Sequence, residues 1–410
     1  MKILVLGKGI ANDGMVLLLE QKELEFDYLN PEEVAHFDYT YVIKAPGIPL
    51  SDRIIQGFIK KGIRILSDIE VAMLLHPGFY IGVTGSNGKT TTVSLICHLL
   101  KSGYDAVACG NIGYSIGKAV VEHPNAQIYV VELSSFQLEC AQIDLNISVL
   151  LNIHPCHLDH HATFADYIGS KSNICIHQTP QHCVVYCDDD PHIQTIIRHT
   201  EAKKSSFSAD KSHAKCCLHQ DVIYYENKRI FKLTEPFKGK KHLIEDLLAA
   251  IGVVSLFAKI KPSMIRKQLK SFEPIDYRMM PMNPYIYNDA KSTNPYSTIA
   301  AIECFQSVFL ICGGYDRKEN LDSLNDHLYK IKKVYAYGQT KDKIYQYMRK
   351  HDKECCVFQT VEEAFCQALK ERQNEVVLYS PMFASFDQFE NYMARGKYFN
   401  TLFQKYVSSK

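Results

Sequence analysis

The chain has 410 residues, of which 46% are hydrophobic and 22% charged, and its formal net charge is +1. That length accommodates roughly two to four domains, and the balanced charge gives no electrostatic footing for nucleic acid or an anionic membrane surface. No apolar run reaches the ~18 residues of a spanning helix, and the opening MKILVLGKGIANDG is too short in its apolar part for a signal peptide. Fourteen cysteines without a CxxC pair read as reduced thiols of a cytoplasmic protein and give no support to a structural zinc.

In chain order, Lys2–Leu6, Glu25–Leu29, Tyr41–Ile43 and Ile63–Leu66 read as strands, with helices over Gly14–Gln21 and Asp52–Lys61. Such alternation predicts a parallel sheet with helices on its faces. Gly7, Gly9 and Gly14 make a loose dinucleotide-type turn. Lys44-Ala45-Pro46-Gly47-Ile48-Pro49 closes the third strand with a rigid turn at a carboxyl edge, where α/β sheets bind ligands. Pro77-Gly78 then breaks the chain, so the first domain is placed at 1–76.

The second domain, 77–272, opens with the most informative stretch. Phe79–Val83 is a strand, Gly82 to Thr92 reads GVTGSNGKTTT, and Thr91–Lys101 has a helical apolar face. Strand, glycine turn, Lys-Thr and helix is the layout of a phosphate-binding loop. Gly85 and Gly88 permit a tight turn whose N–H groups, with those of Ser86, Asn87 and Thr91, face phosphate oxygens. Lys89 reaches the outer phosphates and the Thr90 hydroxyl suits Mg²⁺. Val83 stands where the strict pattern has glycine, so the loop is a variant. Two further strands follow, Gln127–Val131 and Ile147–Asn152. They deliver Glu132 and then His157 and Asp159, and Lys171 lies on the next helix. Strand ends of a parallel sheet converge on one edge, and Mg²⁺ needs few carboxylates. Short β segments between about 200 and 232, including Val222–Tyr225 and Arg229–Lys232, precede helices over Leu243–Phe257 and Ser263–Ser271.

The third domain, 273–410, repeats the alternation. Its strands are Tyr285–Tyr287, Val308–Ile311, Lys333–Tyr337 and Val376–Tyr379. Its helices are Pro295–Phe305, Lys341–Arg349, Val361–Glu371 and Gln388–Tyr406. Polar loops follow three strands, around Lys291, around Lys318 and from Ser380 to Gln388, and together suit an anionic amino-acid substrate.

These segments resemble the Mur ligases. The matching stretches are KAPGIP at 44–49, GVTGSNGKTTT at 82–92, GNIG at 110–113, ELSSFQLE at 132–139, LNIHPCHLDHH at 151–161, YIGSK at 167–171, NDAKSTNP at 288–295, GGYDRK at 313–318 and SPMFASFDQFENYMARG at 380–396. The last points to the D-glutamate-adding branch. The resemblance implies an α/β fold of three domains: a Rossmann-like domain for the UDP-sugar, a P-loop ATPase-like central domain, and a Rossmann-like domain for the amino acid. It implies ATP and two Mg²⁺ ions, and the substrates UDP-N-acetylmuramoyl-L-alanine and D-glutamate. The implied protein is a monomer making peptidoglycan precursors, with no nucleic-acid or membrane partner. By position, Lys89 and Thr90 would hold phosphates and Mg²⁺, and Glu132 and His157 would ligate Mg²⁺. Lys171 matches the family's carbamylated lysine, and Arg278 would steady the transferred phosphoryl group. Lys44, Pro46, Gly47, Asn111, Ser134 and Gln137 match positions at the nucleotide-sugar. Lys291, Thr293, Lys318, Ser385, Phe386 and Tyr392 match positions around D-glutamate, with Arg317 a rival to Lys318 for the cationic role. The chain departs from the family at His242-Leu243-Ile244-Glu245-Asp246, where both asparagines of the usual motif are gone and Asp246 is left to face adenine. It departs again at Tyr277-Arg278-Met279-Met280, which keeps only the arginine, and at Phe383. Two other readings stand beside this one: a folylpolyglutamate-synthetase-like ligase, and a degenerate Mur-fold binding protein.

Overall fold

The computed structural model describes residues 2–273 and 275–408. Three sheets organise them. The first is wholly parallel, in the order β2-β1-β3-β4, from β1 (Ile3–Leu6), β2 (Phe26–Leu29), β3 (Tyr41–Lys44) and β4 (Arg64–Leu66). The second holds β5 (Tyr80–Thr84), β6 (Ala106–Gly110), β7 (Ile128–Glu132), β8 (Ile147–Leu150), β9 (Cys183–Cys187), β10 (Lys203–Ser208), β11 (Cys216–His219), β12 (Val222–Tyr225) and β13 (Lys228–Lys232). Its order is β13-β12-β11-β10-β9-β8-β5-β7-β6, parallel from β11 through β6, with β12 and β13 added antiparallel. The third holds β14 (Met280–Asn283), β15 (Ile286–Asn288), β16 (Val308–Gly313), β17 (Ile331–Tyr337), β18 (Cys355–Phe358) and β19 (Val376–Met382), ordered β14-β15-β19-β16-β17-β18. All its pairs are parallel except β14 with β15.

The sequence explains why these strands are central. β5, β7 and β8 are buried at every residue, as expected of parallel strands covered on both faces. In β16 and β17 successive side chains feed two separate cores. Leu310, Cys312, Val334 and Ala336 enter one, and Phe309, Ile311, Tyr335 and Tyr337 enter the other.

By packing, the chain divides into two units. One runs to Pro155 and resumes over His160–Phe272, so it contains the first two sheets. The other comprises Cys156–Asp159 and the chain from Glu273 onward. Within the first unit, the helix Ile10–Gln21 meets the helix Ile116–Glu122 through two glycines. A Cβ on Gly14 would lie 2.0 Å from Ser115 Oγ, and one on Gly117 would lie 2.3 Å from the Gly14 carbonyl oxygen. Gly14 is therefore a packing glycine rather than part of a nucleotide turn.

Several elements differ from the sequence expectation. Strands β6, β9 and β18 and the helices Asp68–Leu75 and Ile116–Glu122 carry no clear period in sequence. In β6 and β9, burial reaches residues on both faces and erases the alternation of a strand, whereas β18 is an edge strand with no fully buried residue to mark an inward face. The predicted strand Ile147–Asn152 ends at Leu150. Asn152 instead serves the neighbouring loop, where its carbonyl accepts the Ser86 N–H (2.9 Å) and its side-chain oxygen the Asn87 N–H (2.9 Å). The C-terminal helix starts at Tyr392 rather than Gln388, because the Asn391 side chain caps it by accepting the Ala394 N–H.

Candidate active site

The phosphate-type loop sits where the sequence places it, between β5 and the helix Lys89–Leu100. Gly88 is left-handed at φ +85, and a Cβ there would lie 2.1 Å from Asp246 Oδ1. Only glycine fits both the turn and that close approach. Asp246, in the helix Lys241–Val254, is buried and its Oδ1 accepts from the Thr92 hydroxyl at 3.3 Å. The first-turn N–H groups of the helix that begins at Lys89 have no intrahelical acceptors and form an anion-binding end.

Two lysines meet at this loop. Lys89 Nζ folds back onto the Gly85 and Ser86 carbonyls at 3.0 and 3.1 Å. Lys171 Nζ, on the helix Phe164–Ser172, donates to the same Gly85 carbonyl at 2.9 Å and to Thr84 Oγ1 at 3.2 Å. Lys171 is 1% exposed and its ammonium lies 4.8 Å from the centre of the Tyr167 ring. The Tyr167 hydroxyl in turn hydrogen-bonds Ser86 Oγ at 2.8 Å. Two cations converging on one carbonyl concentrate positive charge where phosphates would lie.

Glu132, at the end of β7, is 3% exposed. Its Oε1 accepts from Asn111 Nδ2 at 3.0 Å, and its Oε2 is buried with no hydrogen-bond partner. A carboxylate oxygen left so is costly unless a cation meets it, so the residue fits a Mg²⁺ ligand. Among the described residues no group of three or more His, Cys, Asp or Glu side chains is placed as a metal cage. Mg²⁺ does not require one, since it keeps waters and substrate oxygens in its shell. Thr90 follows Lys89 in the same first helical turn and is half-buried.

The residues expected at the nucleotide-sugar form two linked groups. Asn111 also donates its backbone N–H to the Glu132 carbonyl (2.9 Å). Ser134 and Gln137 cap each other across one helical turn, and Gln137 Nε2 donates to Asp68 Oδ2 at 2.8 Å. Burial raises the Asp68 pKa above the usual carboxylate value, although Gln137 and Lys44 act against it. Lys44 does not point outward. It is 2% exposed, paired with Glu139 Oε1 at 2.7 Å, and donates to the Ile48 carbonyl at 2.7 Å and the Pro46 carbonyl at 3.4 Å. It therefore shapes the turn through Pro46 and Gly47 from within. His160 Nε2 lies 3.0 Å from Glu139 Oε2, and its ring stacks on Phe136 at 3.9 Å. Asp68, Glu139 and His160 were missed as participants. Only the position of Glu139 and His160 inside matching stretches could have signalled two of them.

In the second unit, Asp289 is fully buried at the end of β15. It accepts from the Ser292 and Ser380 hydroxyls at 2.5 and 2.7 Å and from the Met279 N–H at 3.1 Å. Burial raises its pKa. This hub ties together the loops carrying Lys291, Thr293 and Ser385. Lys291 Nζ reaches the Tyr392 hydroxyl at 3.2 Å and lies 4.7 Å from the centre of its ring. Ser385 is buried and Phe386 is 55% exposed. Lys318 is left-handed at φ +61. Arg317, not Lys318, lies over the Phe386 ring at 5.2 Å, and its Nη1 is 3.4 Å from His157 Nδ1. His157 is itself left-handed at φ +58 and belongs to the segment that packs with this unit. Arg278 Nε is buried with no hydrogen-bond partner. Arg395 was missed as well. It is fully buried and donates to the Phe383 and Ala290 carbonyls at 2.9 and 3.0 Å, joining two of the loops.

The Mur ligase middle domain family matches residues 83–254. The UDP-N-acetylmuramoylalanine–D-glutamate ligase of Geobacillus kaustophilus is 35% identical over 383 residues, spanning 90% of this chain and 84% of its own. The chain belongs to the UDP-N-acetylmuramoylalanine–D-glutamate ligases. The Bacillus subtilis member of this ligase family is 34% identical over 380 residues, covering 88% of this chain and 82% of its own. Among solved structures, the UDP-N-acetylmuramate–alanine ligase MurC of Thermotoga maritima superposes with TM-score 0.62 at 16% identity, over all of both chains. MurF ligase of the same organism, solved with ADP, gives TM-score 0.62 at 15% identity over 99% of this chain and 95% of its own. These likenesses show the three-domain Mur ligase fold in the present ligase.

Proposed function

We propose that the protein joins D-glutamate to UDP-N-acetylmuramoyl-L-alanine at the expense of ATP, a cytoplasmic step in peptidoglycan precursor synthesis carried out by a monomer. Its family membership makes it an ATP-dependent ligase. The observation that carries the site assignment is the meeting of Lys89 and Lys171 at the Gly85 carbonyl, together with the unpartnered buried oxygen of Glu132. Among the described residues no helix is long and apolar enough to cross a membrane.

A carboxylate is a poor electrophile, so it must first be phosphorylated. The N–H groups of the Gly85–Thr91 loop and Lys89 hold the ATP phosphates, and Arg278 offers its buried, unpartnered Nε to the charge of the moving phosphoryl group. Thr90, Glu132, His157 and Lys171 would hold Mg²⁺. When bound, the metal neutralises phosphate oxygens and templates the transfer. Carbamylation of Lys171 turns an ammonium into an anion, which suits that role and removes its repulsion with Lys89. The acyl phosphate then meets the amine of D-glutamate, held by Lys291, Thr293, Lys318, Ser385, Phe386 and Tyr392, with Arg317 as an added cation. The tetrahedral intermediate expels phosphate and leaves the amide. Asn111, Ser134 and Gln137 hold the nucleotide-sugar, with Pro46 and Gly47 in the turn that Lys44 braces.

The test is phosphate release from ATP with Mg²⁺ and UDP-N-acetylmuramoyl-L-alanine. Release that requires D-glutamate, and is not supported by L-glutamate or L-lysine, is expected. A folded protein that releases no phosphate with any amino acid would refute the reading and leave a non-catalytic binding protein.

A further inference from the structure

Arg278 is flanked by two left-handed residues, Tyr277 at φ +59 and Met279 at φ +48. Large side chains rarely adopt this region, and each such residue costs about 1–3 kcal/mol unless its surroundings enforce it. Here three contacts enforce it. The Met279 N–H is held by Asp289 Oδ1 at 3.1 Å. The Tyr277 carbonyl accepts the Lys291 N–H at 3.0 Å. The Tyr277 ring lies against Gly396, in the first half of the helix Tyr392–Phe403. A Cβ on Gly396 would lie 2.4, 2.5 and 2.9 Å from ring atoms Cγ, Cδ1 and Cδ2. Glycine inside a helix is less stable than alanine by about 1 kcal/mol, so the ring is what Gly396 accommodates. The Gly396 carbonyl is fixed in turn by Asn288 Nδ2 at 2.9 Å.

We propose that Tyr277 is a positioning residue whose ring, seated on Gly396, holds the left-handed turn that presents Arg278 and ties that turn to Lys291. One side chain thereby sets the cation for the phosphoryl group and the loop for the incoming amino acid together. The proposal rests on the roles given above to Arg278 and Lys291.

The experiment is a double-mutant cycle on the full-length enzyme, reading kcat and KM for D-glutamate, ATP and the nucleotide-sugar. Gly396→Ala drives the ring off its seat. kcat is expected to fall tenfold or more and KM for D-glutamate to rise, with KM for the nucleotide-sugar unmoved. Tyr277→Asn deletes the ring but keeps a residue that tolerates the left-handed region, and the same split is expected with the melting temperature held. Tyr277→Phe restores the ring and should rescue most of the loss. The double variant Tyr277→Asn/Gly396→Ala should be no worse than Tyr277→Asn alone, because the new methyl has no ring to strike. Wild-type kcat in Gly396→Ala, or additive losses in the double variant, would overturn the proposal. Arg278→Ala is the separate control. Full kcat in that variant refutes the role given to Arg278, while non-additivity between positions 277 and 396 in KM for D-glutamate still tests the seat itself.

Discussion

Lys44→Met tests whether the buried cation of the first domain braces the substrate turn or merely fills space. The Lys44 and Glu139 side chains are 1% and 7% exposed and their charged atoms are 2.7 Å apart. Removing one partner of such a pair leaves a buried charge and costs about 3–5 kcal/mol. Glu139 keeps His160 at 3.0 Å, so a value near the lower end, about 3 kcal/mol, is expected. Urea unfolding followed by far-ultraviolet circular dichroism measures it. The pair also predicts a pH signature. Burial pushes the Glu139 pKa up, but His160 and Lys44 outweigh it, and the carboxyl sits below its ordinary value of 4.5. A depressed carboxyl contributes stability above its unfolded pKa and loses it as pH falls through the folded one. The gap between wild type and Lys44→Met should therefore close on acidification below about pH 4.5. Because Lys44 also donates to the Ile48 carbonyl, KM for the nucleotide-sugar should rise several-fold. The double variant Lys44→Met/Glu139→Met should regain most of the stability. A loss under about 1 kcal/mol in Lys44→Met, the size of an exposed pair, would refute the reasoning.

Burial raises the Glu245 pKa to about 7, with Lys241 opposing and Asp246 and Asp189 adding to it. A raised carboxyl stabilises the fold fully below its unfolded pKa and loses that contribution as pH climbs through the folded one. Glu245→Gln should therefore flatten the decline of melting temperature across that window and be more stable than wild type by about 1–2 kcal/mol near pH 8; equal pH slopes for the two proteins would contradict this. Gly88→Ala puts a methyl where Asp246 Oδ1 lies 2.1 Å away, at φ +85. Beyond about 1–2 kcal/mol of backbone strain, calorimetric binding of ADP should be lost, and retained affinity would show that the loop is not the nucleotide cradle. Lys171→Ala should lower kcat by about 10²-fold or more and recover partly with added short carboxylates. Absence of any rescue in a folded variant counts against the carbamate.

What could be read in advance follows from how each signal arises. The phosphate loop was legible because its chemistry demands glycines, a lysine and a threonine in consecutive order, between a strand and a helix. The alternating elements were legible wherever one face of a helix meets water. β6 and β9 were not, because they are covered on both faces and rich in cysteine and small residues, which carry no period. For the candidate site, sequence reasoning singled out the ionic members and not their scaffolding. Nothing in sequence pairs Lys44 with Glu139, 95 positions apart, or seats Tyr277 on Gly396. Such partners are set by sheet order. The same holds for Arg317, whose guanidinium stands over the Phe386 ring.

The Gly85 carbonyl accepts from both Lys89 and Lys171. Before Lys171 is carbamylated, both donors to that oxygen are ammonium groups, and together with the helix N-terminus that begins at Lys89 they attract a small tetrahedral anion. Sulfate or inorganic phosphate in a storage or assay buffer will compete with ATP, and phosphate released in turnover will do the same. Chloride at equal ionic strength will compete far less. Product phosphate is therefore expected to slow turnover as it accumulates, and an assay buffer free of sulfate and phosphate to give the tighter apparent affinity for ATP.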